Sequence, residues 1–194
     1  VESAQRNLNA GTSGVALFEM ARVYLPLGDT DLPDERWHVA GIVEGGYFRA
    51  KGVVELLLAA FRAPWAFEPA ADLGDLGQGA TLRGAGGAAG GTVSLLPAAT
   101  LDGAWGYFEI DLPTLFAAVP GHTTYEDVVT FPSVKNDIAV VVDETVAAGD
   151  LLVAVREAGG PELGETAVFD VYRGDQVPAG KKSVAISLSF RSPE

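Results

Sequence analysis

The chain has 194 residues and no cysteine, which excludes disulfide bonds, thiolate metal ligands and a cysteine nucleophile. Apolar residues make up 48% of it, yet no apolar run approaches the roughly 20 residues that a membrane-spanning helix needs. A formal net charge of −13 argues against broad nucleic-acid affinity, because that affinity comes from Lys and Arg neutralising phosphates. The length and the start at Val1, rather than Met, predict a piece of a longer protein that holds two small domains.

The first part of the chain is predicted to form strands around one clear helix. A β-rich stretch at 15–25 is followed by a turn and an acidic loop that runs to Glu35, and a second strand is predicted at 38–43. Residues 51–62 place apolar side chains at helical spacing, which predicts a helix with one apolar face.

The next stretch is rich in Gly and Ala. It predicts a hairpin within 72–92, with strand character only at 80–83 and a mobile tip around 85–91. A strand is then predicted at 107–112. A helix follows at 113–119, because proline is favoured at the first helical position.

A polar, turn-rich segment at 120–127 is predicted to link two domains, which divide the chain into 1–130 and 131–194. Beyond it the order is strand, helix, strand and strand, predicted at 137–142, 148–158, 167–172 and 183–191. This is the start of a ferredoxin-like split βαβ unit, so the fold class is α+β. The missing second helix and fourth strand predict that the first strand's edge is unpaired, so that the domain is poorly ordered, dimerises or borrows a segment.

Alternation along these strands predicts two different sheet faces, since residues two apart share a face. The apolar face is predicted to hold Ile138, Val140, Val142, Phe169, Val171, Val184, Ile186, Leu188 and Phe190. The opposite, half-polar face is predicted to hold Asp137, Asp170, Tyr172, Ser187, Ser189 and Arg191. Such a face is the kind of platform that RNA-binding modules use, although a plain solvated sheet face is the alternative.

Five residues of this last unit are candidates for RNA contact: Tyr172, Arg173, Lys181, Lys182 and Arg191. The tyrosine ring could stack on an unpaired base, and the four cations could meet phosphates. In the alternative interpretation the two lysines only keep a turn soluble and Arg173 pairs with Asp175.

No catalytic or metal-binding residue is predicted. His38 and His122 are the two histidines, they are far apart in sequence, and no triad or zinc pattern forms around them. The glycine cluster at 84–91 lacks the spacing of a phosphate-binding loop. The acidic run that begins at Asp29 is typical of a solvated surface.

Several motifs, taken in order, resemble the C-terminal part of the β subunit of bacterial phenylalanyl-tRNA synthetase. The most specific are FDVYRG at 169–174, GKKSVA at 180–185 and LSFR at 188–191. Other matching stretches are LFEM at 17–20 with RVY at 22–24, YFRAKGVVE at 47–55, FEIDL at 108–112, and FPSV at 131–134 with DIA at 137–139. The chain departs from the family pattern at Asn136, which replaces an arginine, at Leu96, which replaces a histidine, and at 77–80.

The resemblance implies an antiparallel, catalytic-like but non-catalytic domain of the class II synthetase type at 1–130, then a truncated ferredoxin-fold anticodon-binding domain at 131–194. It implies a role in ATP-dependent charging of tRNA(Phe) in the cytoplasm, within an α₂β₂ complex. Phenylalanine, ATP and Mg²⁺ would be bound by the α subunit, so this piece alone is expected to be inactive.

Two other functions stay open. One is a protein–protein assembly module that never touches RNA, and salt-dependent tRNA binding would distinguish the two. The other is a small-molecule-binding domain built on the Gly-rich hairpin, which a thermal-shift panel would reveal.

Overall fold

The computed structural model describes residues 1–28, 32–71, 73–84, 87–122 and 131–192. Contacts within the chain divide it into two compact units, Val1–Thr123 (unit 1) and Thr124–Glu194 (unit 2). Most of the predicted linker and the predicted boundary after residue 130 lie outside the described residues, so that boundary stays a prediction. None of the helices in the described ranges is both long and apolar enough to cross a bilayer.

Unit 1 is built on a six-stranded antiparallel sheet with the strand order β1-β2-β6-β5-β4-β3. In chain order its elements are α1 (Glu2–Asn9), β1 (Ala16–Leu25), β2 (Asp34–Glu44), α2 (Tyr47–Phe61), β3 (Ala66–Ala70), a 3₁₀ turn (Gly74–Leu76), β4 (Gly79–Arg83), β5 (Ala89–Leu95), β6 (Trp105–Asp111) and α3 (Leu112–Ala117).

The main core of unit 1 lies between the sheet and α2. Ala50, Val54 and Leu58 are four residues apart, so they form one buried face of this helix. They pack on alternate residues of the central strands, such as Val93 and Ile110. A smaller cluster on the opposite side of the sheet buries Ala4, Val15, Leu96, Leu101 and Trp105.

Close backbone approach explains one glycine of unit 1. A Cβ atom on Gly106 of β6 would lie 2.4 Å from the carbonyl oxygen of Gly46 and 2.6 Å from the Cβ of Ala50. Because α2 begins directly against β6, only glycine fits at this position.

The structure corrects three predictions in unit 1. Asp34 and Glu35 belong to strand β2 rather than to an acidic loop, and they pair with Arg36 and Arg22. Helix α1 and strands β3 and β5 were not predicted, and the sequence assigned part of β5 to a hairpin tip. A Cβ atom on Gly90 of β5 would lie 2.1 Å from the Trp65 ring, so this strand position requires glycine. Residues 85 and 86 of the predicted tip lie outside the described residues.

Unit 2 has the predicted order of strand, helix, strand and strand. Its elements are β7 (Val134–Asp143), α4 (Ala148–Ala158), β8 (Leu163–Tyr172) and β9 (Lys181–Phe190). They form a three-stranded antiparallel sheet in the order β7-β9-β8, so β9 is central. Among the described residues β7 pairs only with β9, so its other edge has no strand partner there. That another copy or segment covers this edge stays a prediction.

Candidate functional site

The sheet of unit 2 has one covered face and one open face. Val184, Ile186 and Leu188 of β9 are buried in a cluster with residues of α4, such as Leu151 and Val155. The alternate residues of β9 therefore point to the other side. They are the small side chains Ser183, Ala185, Ser187 and Ser189, which we call the open face together with their neighbours on β7 and β8.

A bulge in β8 corrects the predicted faces. Val168 pairs with Ile186 and Asp170 pairs with Ala185, so Phe169 is the extra residue between them. Because it follows a core-facing valine, Phe169 points away from the core, and 59% of it is exposed. The prediction that Phe169 belongs to the apolar layer is therefore wrong.

Two aromatic rings consequently lie on the open face beside the small side chains of β9. Tyr172 pairs with Ser183 at one end of the sheet and is 43% exposed. Its hydroxyl lies over Gly174, where a Cβ atom would be 2.3 Å from the tyrosine oxygen. The sequence identified Tyr172 but missed Phe169, because the prediction assumed unbroken alternation and the bulge interrupts it.

Two of the predicted cations are held by carboxylates. Arg173 donates from Nε and Nη2 to Glu144 Oε1, over 2.8 and 2.7 Å, and does not take the expected partner Asp175. The hydrogen bond to Glu144 raises the pKa of Arg173, and the same bond lowers the pKa of Glu144. Lys181 donates to Asp143 Oδ1 over 2.7 Å, at an exposed position.

Lys182 has a different position from its neighbour. It shares the core-facing side of β9 with Val184, and only 9% of it is exposed. Its ammonium group donates to the backbone carbonyl oxygen of Glu144 over 2.7 Å. The backbone N–H of Glu144 in turn donates to the carbonyl of Gly180. Lys182 therefore ties β9 to the turn after β7.

The five predicted residues do not form one cluster. Tyr172, Arg173, Lys181 and Lys182 lie at the end of the sheet where β9 begins, whereas Arg191 follows its last residue. Lys181 and Arg191 are ten residue steps apart along an extended strand, which places them roughly 33 Å apart at about 3.3 Å per residue.

A second polar cluster lies on unit 1, where the sequence predicted no site. His38 Nδ1 lies 2.6 Å from Glu109 Oε1, and the hydroxyl of Tyr107 donates to Glu109 Oε2 over 2.5 Å. Asp111 accepts from Arg36 Nη1 over 3.1 Å and from the backbone N–H of Thr114, so it also caps α3.

Electrostatics in this cluster favour a fixed network. Burial raises the pKa of Tyr107 far above its ordinary value, and the bond to Glu109 adds to the effect. Burial alone would raise the pKa of Glu109, but the bonds from Tyr107 and His38 outweigh it and the pKa is lowered. Across the described residues no group of three or more His, Asp and Glu side chains is placed to hold a metal ion.

Comparisons with known proteins match both units. Residues 1–97, half of the chain, match the family described as phenylalanyl tRNA synthetase beta chain CLM domain. Residues 129–194 match the family described as ferredoxin-fold anticodon binding domain.

Similar curated proteins carry the printed name phenylalanine–tRNA ligase beta subunit. The one from Geobacillus kaustophilus is 37% identical over 215 residues, the one from Bacillus subtilis 36% over 214 and the one from Staphylococcus aureus USA300 32% over 213. Each alignment covers 100% of this chain but only 26% or 27% of the relative, so the chain spans about a quarter of their length.

One similar solved structure is a pyrrolysyl tRNA synthetase from Desulfitobacterium hafniense. It aligns with 58% of this chain and 43% of its own, at 14% identity and a TM-score of 0.46.

Proposed function

Because the chain belongs to the phenylalanyl-tRNA synthetase β-chain family, we propose that it works as part of the β subunit of an ATP-dependent phenylalanine–tRNA ligase. In this role unit 1 is a catalytic-like domain of the class II type that supports an α subunit. Unit 2 contacts the anticodon stem and loop of tRNA(Phe). The α subunit binds phenylalanine, ATP and Mg²⁺ within a cytoplasmic α₂β₂ complex, and the chain alone is inactive.

The observation that carries the RNA part of this proposal is the open face of unit 2. This face lies in the segment that matches the anticodon-binding family, and α4 covers only the opposite side. Phe169 and Tyr172 project there beside serine and alanine side chains. Those small residues leave space for a base to lie against a ring, a contact typically worth about 1–3 kcal/mol.

The cations at the Tyr172 end would act locally. Arg173 and Lys181 are more than 40% exposed in their side chains, and each already has a carboxylate partner. Exposed ion pairs contribute only about 0–1 kcal/mol, so a phosphate can compete with Glu144 and Asp143. Two such exchanges on a single strand predict a shallow salt slope, with log K falling by roughly 1.4 per tenfold rise in salt.

The assembly-module alternative is favoured by the same ion pairs. If Glu144 and Asp143 retain their partners, the Tyr172 end of the open face is electrically balanced and has little to attract a phosphate. The net charge of −13 then repels RNA from the rest of the surface. In that case unit 2 binds protein only.

Binding of fluorescent tRNA(Phe), measured across a salt series with the whole chain, tests the proposal. Phe169→Ala and Tyr172→Ala should each weaken binding by about 5- to 150-fold, since each removes one stacking ring, and should leave the salt slope unchanged. Arg173→Ala combined with Lys181→Ala should flatten the slope. Lys182 is left intact because it is buried.

The matched control is Tyr24→Ala, which removes a ring of unit 1 that is 58% exposed. It should bind tRNA as the unmodified chain does. If the three open-face variants bind tRNA as the control and the unmodified chain do, the open face is not the RNA site and the assembly-module function replaces this one.

A further inference from the structure

The end of the open face where β9 finishes carries a second pair of cations. Lys135 of β7 pairs with Ser189 of β9, so their side chains share the open face. Arg191 extends the ladder by one residue, since its backbone N–H donates to the carbonyl oxygen of Glu162 over 2.8 Å. It follows Phe190, which packs on the core side, so Arg191 points to the open side. Diagonal neighbours such as Lys135 and Arg191 have α carbons about 7–8 Å apart.

These two cations have no carboxylate partner in the described part of the chain. Both side chains are exposed, and no ion pair or side-chain hydrogen bond joins either of them to another described residue. The next carboxylate on the same face of β7 is that of Asp137, two residues along, and it forms no ion pair with Lys135. Both cations are therefore available to an anion from outside the chain.

A hydroxyl group lies between the two cations. Ser189 is directly opposite Lys135 and two residues before Arg191. Its side chain is half-buried, and its hydroxyl makes no hydrogen bond with a described residue. We call these three residues the terminal cluster. An ammonium, a hydroxyl and a guanidinium group are all donors, and charged donors bind phosphate oxygens strongly.

The departure from the family pattern at Asn136 leaves the terminal cluster intact. Asn136 pairs with Leu188, which is buried in the cluster that includes residues of α4, so it faces the helix side of the sheet. An arginine at this position would face the same side. The cation that serves the open face is instead the preceding residue, Lys135, which was not among the residues predicted from the sequence.

We propose that the terminal cluster binds phosphates of an RNA strand whose bases stack on Phe169 and Tyr172. This inference rests on the proposed function and assigns the main backbone contacts within it. The bulge at Phe169 lies beside residue 186 of β9, and Lys135 lies beside residue 189. Three residues of strand separate the two levels, roughly 10 Å at about 3.3 Å per residue, so one short stretch of RNA reaches both.

The other end of the open face is less favourable for phosphate binding. Arg173 and Lys181 are each paired with a carboxylate, which they must leave before they meet a phosphate. The terminal cluster gives up only water. Two phosphates bound there add roughly 1.4 to the fall in log K per tenfold rise in salt, at about 0.7 for each phosphate of a single strand.

Binding of fluorescent tRNA(Phe) to the whole chain, measured across a salt series, tests the inference. Lys135→Ala and Arg191→Ala should each reduce the salt slope by roughly 0.7. Each should therefore weaken binding about eightfold at about 0.05 M salt, and the loss should vanish towards about 1 M, where counterion release contributes nothing. Lys135→Arg keeps the charge and should bind as the unmodified chain does. Arg156→Ala, the matched control, removes an exposed cation from α4 on the covered side and should change neither quantity.

A second measurement uses the absence of cysteine in this chain. In the variant Ser133→Cys the new thiol, two residues before Lys135, carries an iron chelate that generates hydroxyl radicals and cuts nearby RNA backbone. Cuts should appear in unpaired nucleotides of bound tRNA(Phe). Arg156→Cys with the same chelate should produce none. Equal cutting from both positions, or no cutting from Ser133→Cys, would contradict the inference.

The outcomes separate this inference from the proposed function. If Lys135→Ala and Arg191→Ala keep the unmodified affinity and slope while Phe169→Ala and Tyr172→Ala weaken binding, the terminal cluster is not the phosphate site and the proposed function stands. If the unmodified chain does not bind tRNA(Phe), both are wrong. Weaker binding with an unchanged slope and a lowered melting temperature would show that the two cations support the fold, and would also overturn the inference.

Discussion

Lys182 and Lys181 are adjacent in sequence, yet the structure predicts that removing Lys182 destabilises unit 2 far more than removing Lys181. The ammonium of Lys182 is bonded to a backbone carbonyl beneath the turn after β7, and its side chain is almost fully buried. Hydrogen bonds that involve a charged group contribute about 1.5–3 kcal/mol. Lys182→Ala should therefore lower the free energy of unfolding of unit 2 by about 2 kcal/mol. Lys181→Ala removes only an exposed ion pair and should cost about 0–1 kcal/mol.

Urea unfolding followed by two signals measures this difference. All three tryptophans, Trp37, Trp65 and Trp105, lie in unit 1, so their fluorescence reports on that unit alone. Far-UV circular dichroism reports on both units. With a slope of about 1–2 kcal/mol per molar urea for a unit of this size, Lys182→Ala should move the unit 2 midpoint down by roughly 1–2 M. The tryptophan midpoint should not move.

The variant Lys182→Met separates the two contributions of this side chain. Methionine keeps the buried apolar stem and removes the donor, so its midpoint should lie between those of the unmodified chain and of Lys182→Ala. The reasoning fails if Lys182→Ala unfolds like the unmodified chain, or if Lys181→Ala is the more damaging change. In that event Lys182 is again a candidate for RNA contact.

Three further outcomes are expected. The pKa of Tyr107 is raised in the folded chain. Its contribution to stability is therefore complete below the unfolded tyrosine pKa of about 10 and is lost as the pH rises above that value. Tyr107→Phe should flatten the fall in melting temperature above a pH of about 10. Gly106→Ala should destabilise unit 1 by about 1–3 kcal/mol in the tryptophan transition, because the new Cβ meets the Gly46 carbonyl and Ala50. Finally, the chain purified without an α subunit should show no pyrophosphate exchange with phenylalanine and ATP. Exchange above a buffer blank would contradict the proposal that the α subunit binds these substrates and that the chain alone is inactive.

The elements that the sequence predicted well are those whose signal is local and strong. Helix α4 has the bounds that the apolar spacing and the following Gly-Gly-Pro predict, 148–158. Helix α2 was recognised from its apolar face, but it begins four residues earlier than predicted. Its first turn packs against β6, and that contact is not visible in the spacing of residues along the helix.

The elements that were missed depend on tertiary contacts. Helix α1 is polar and buries only Ala4, so its stability comes from packing against the cluster around Trp105. Strand β3 contains Pro69, which weakens any strand prediction, but β3 is an edge strand and an edge tolerates proline. Strand β5 contains Gly90, which weakens any strand prediction, but glycine is required there because the Trp65 ring occupies the space of a Cβ atom.

The candidate site shows why alternation alone identifies only part of a functional face. Strict alternation places Tyr172 on the open side correctly, and it places Phe169 on the core side because 169 and 171 share parity. The bulge at Phe169 restarts the alternation, so Val168 and Val171 both lie on the core side although they are three residues apart. The bulge therefore places a second exposed aromatic ring, Phe169, on the open face. If stacking on this face binds RNA, Phe169→Ala should weaken tRNA binding at least as much as Tyr172→Ala does, because Phe169 is the more exposed ring.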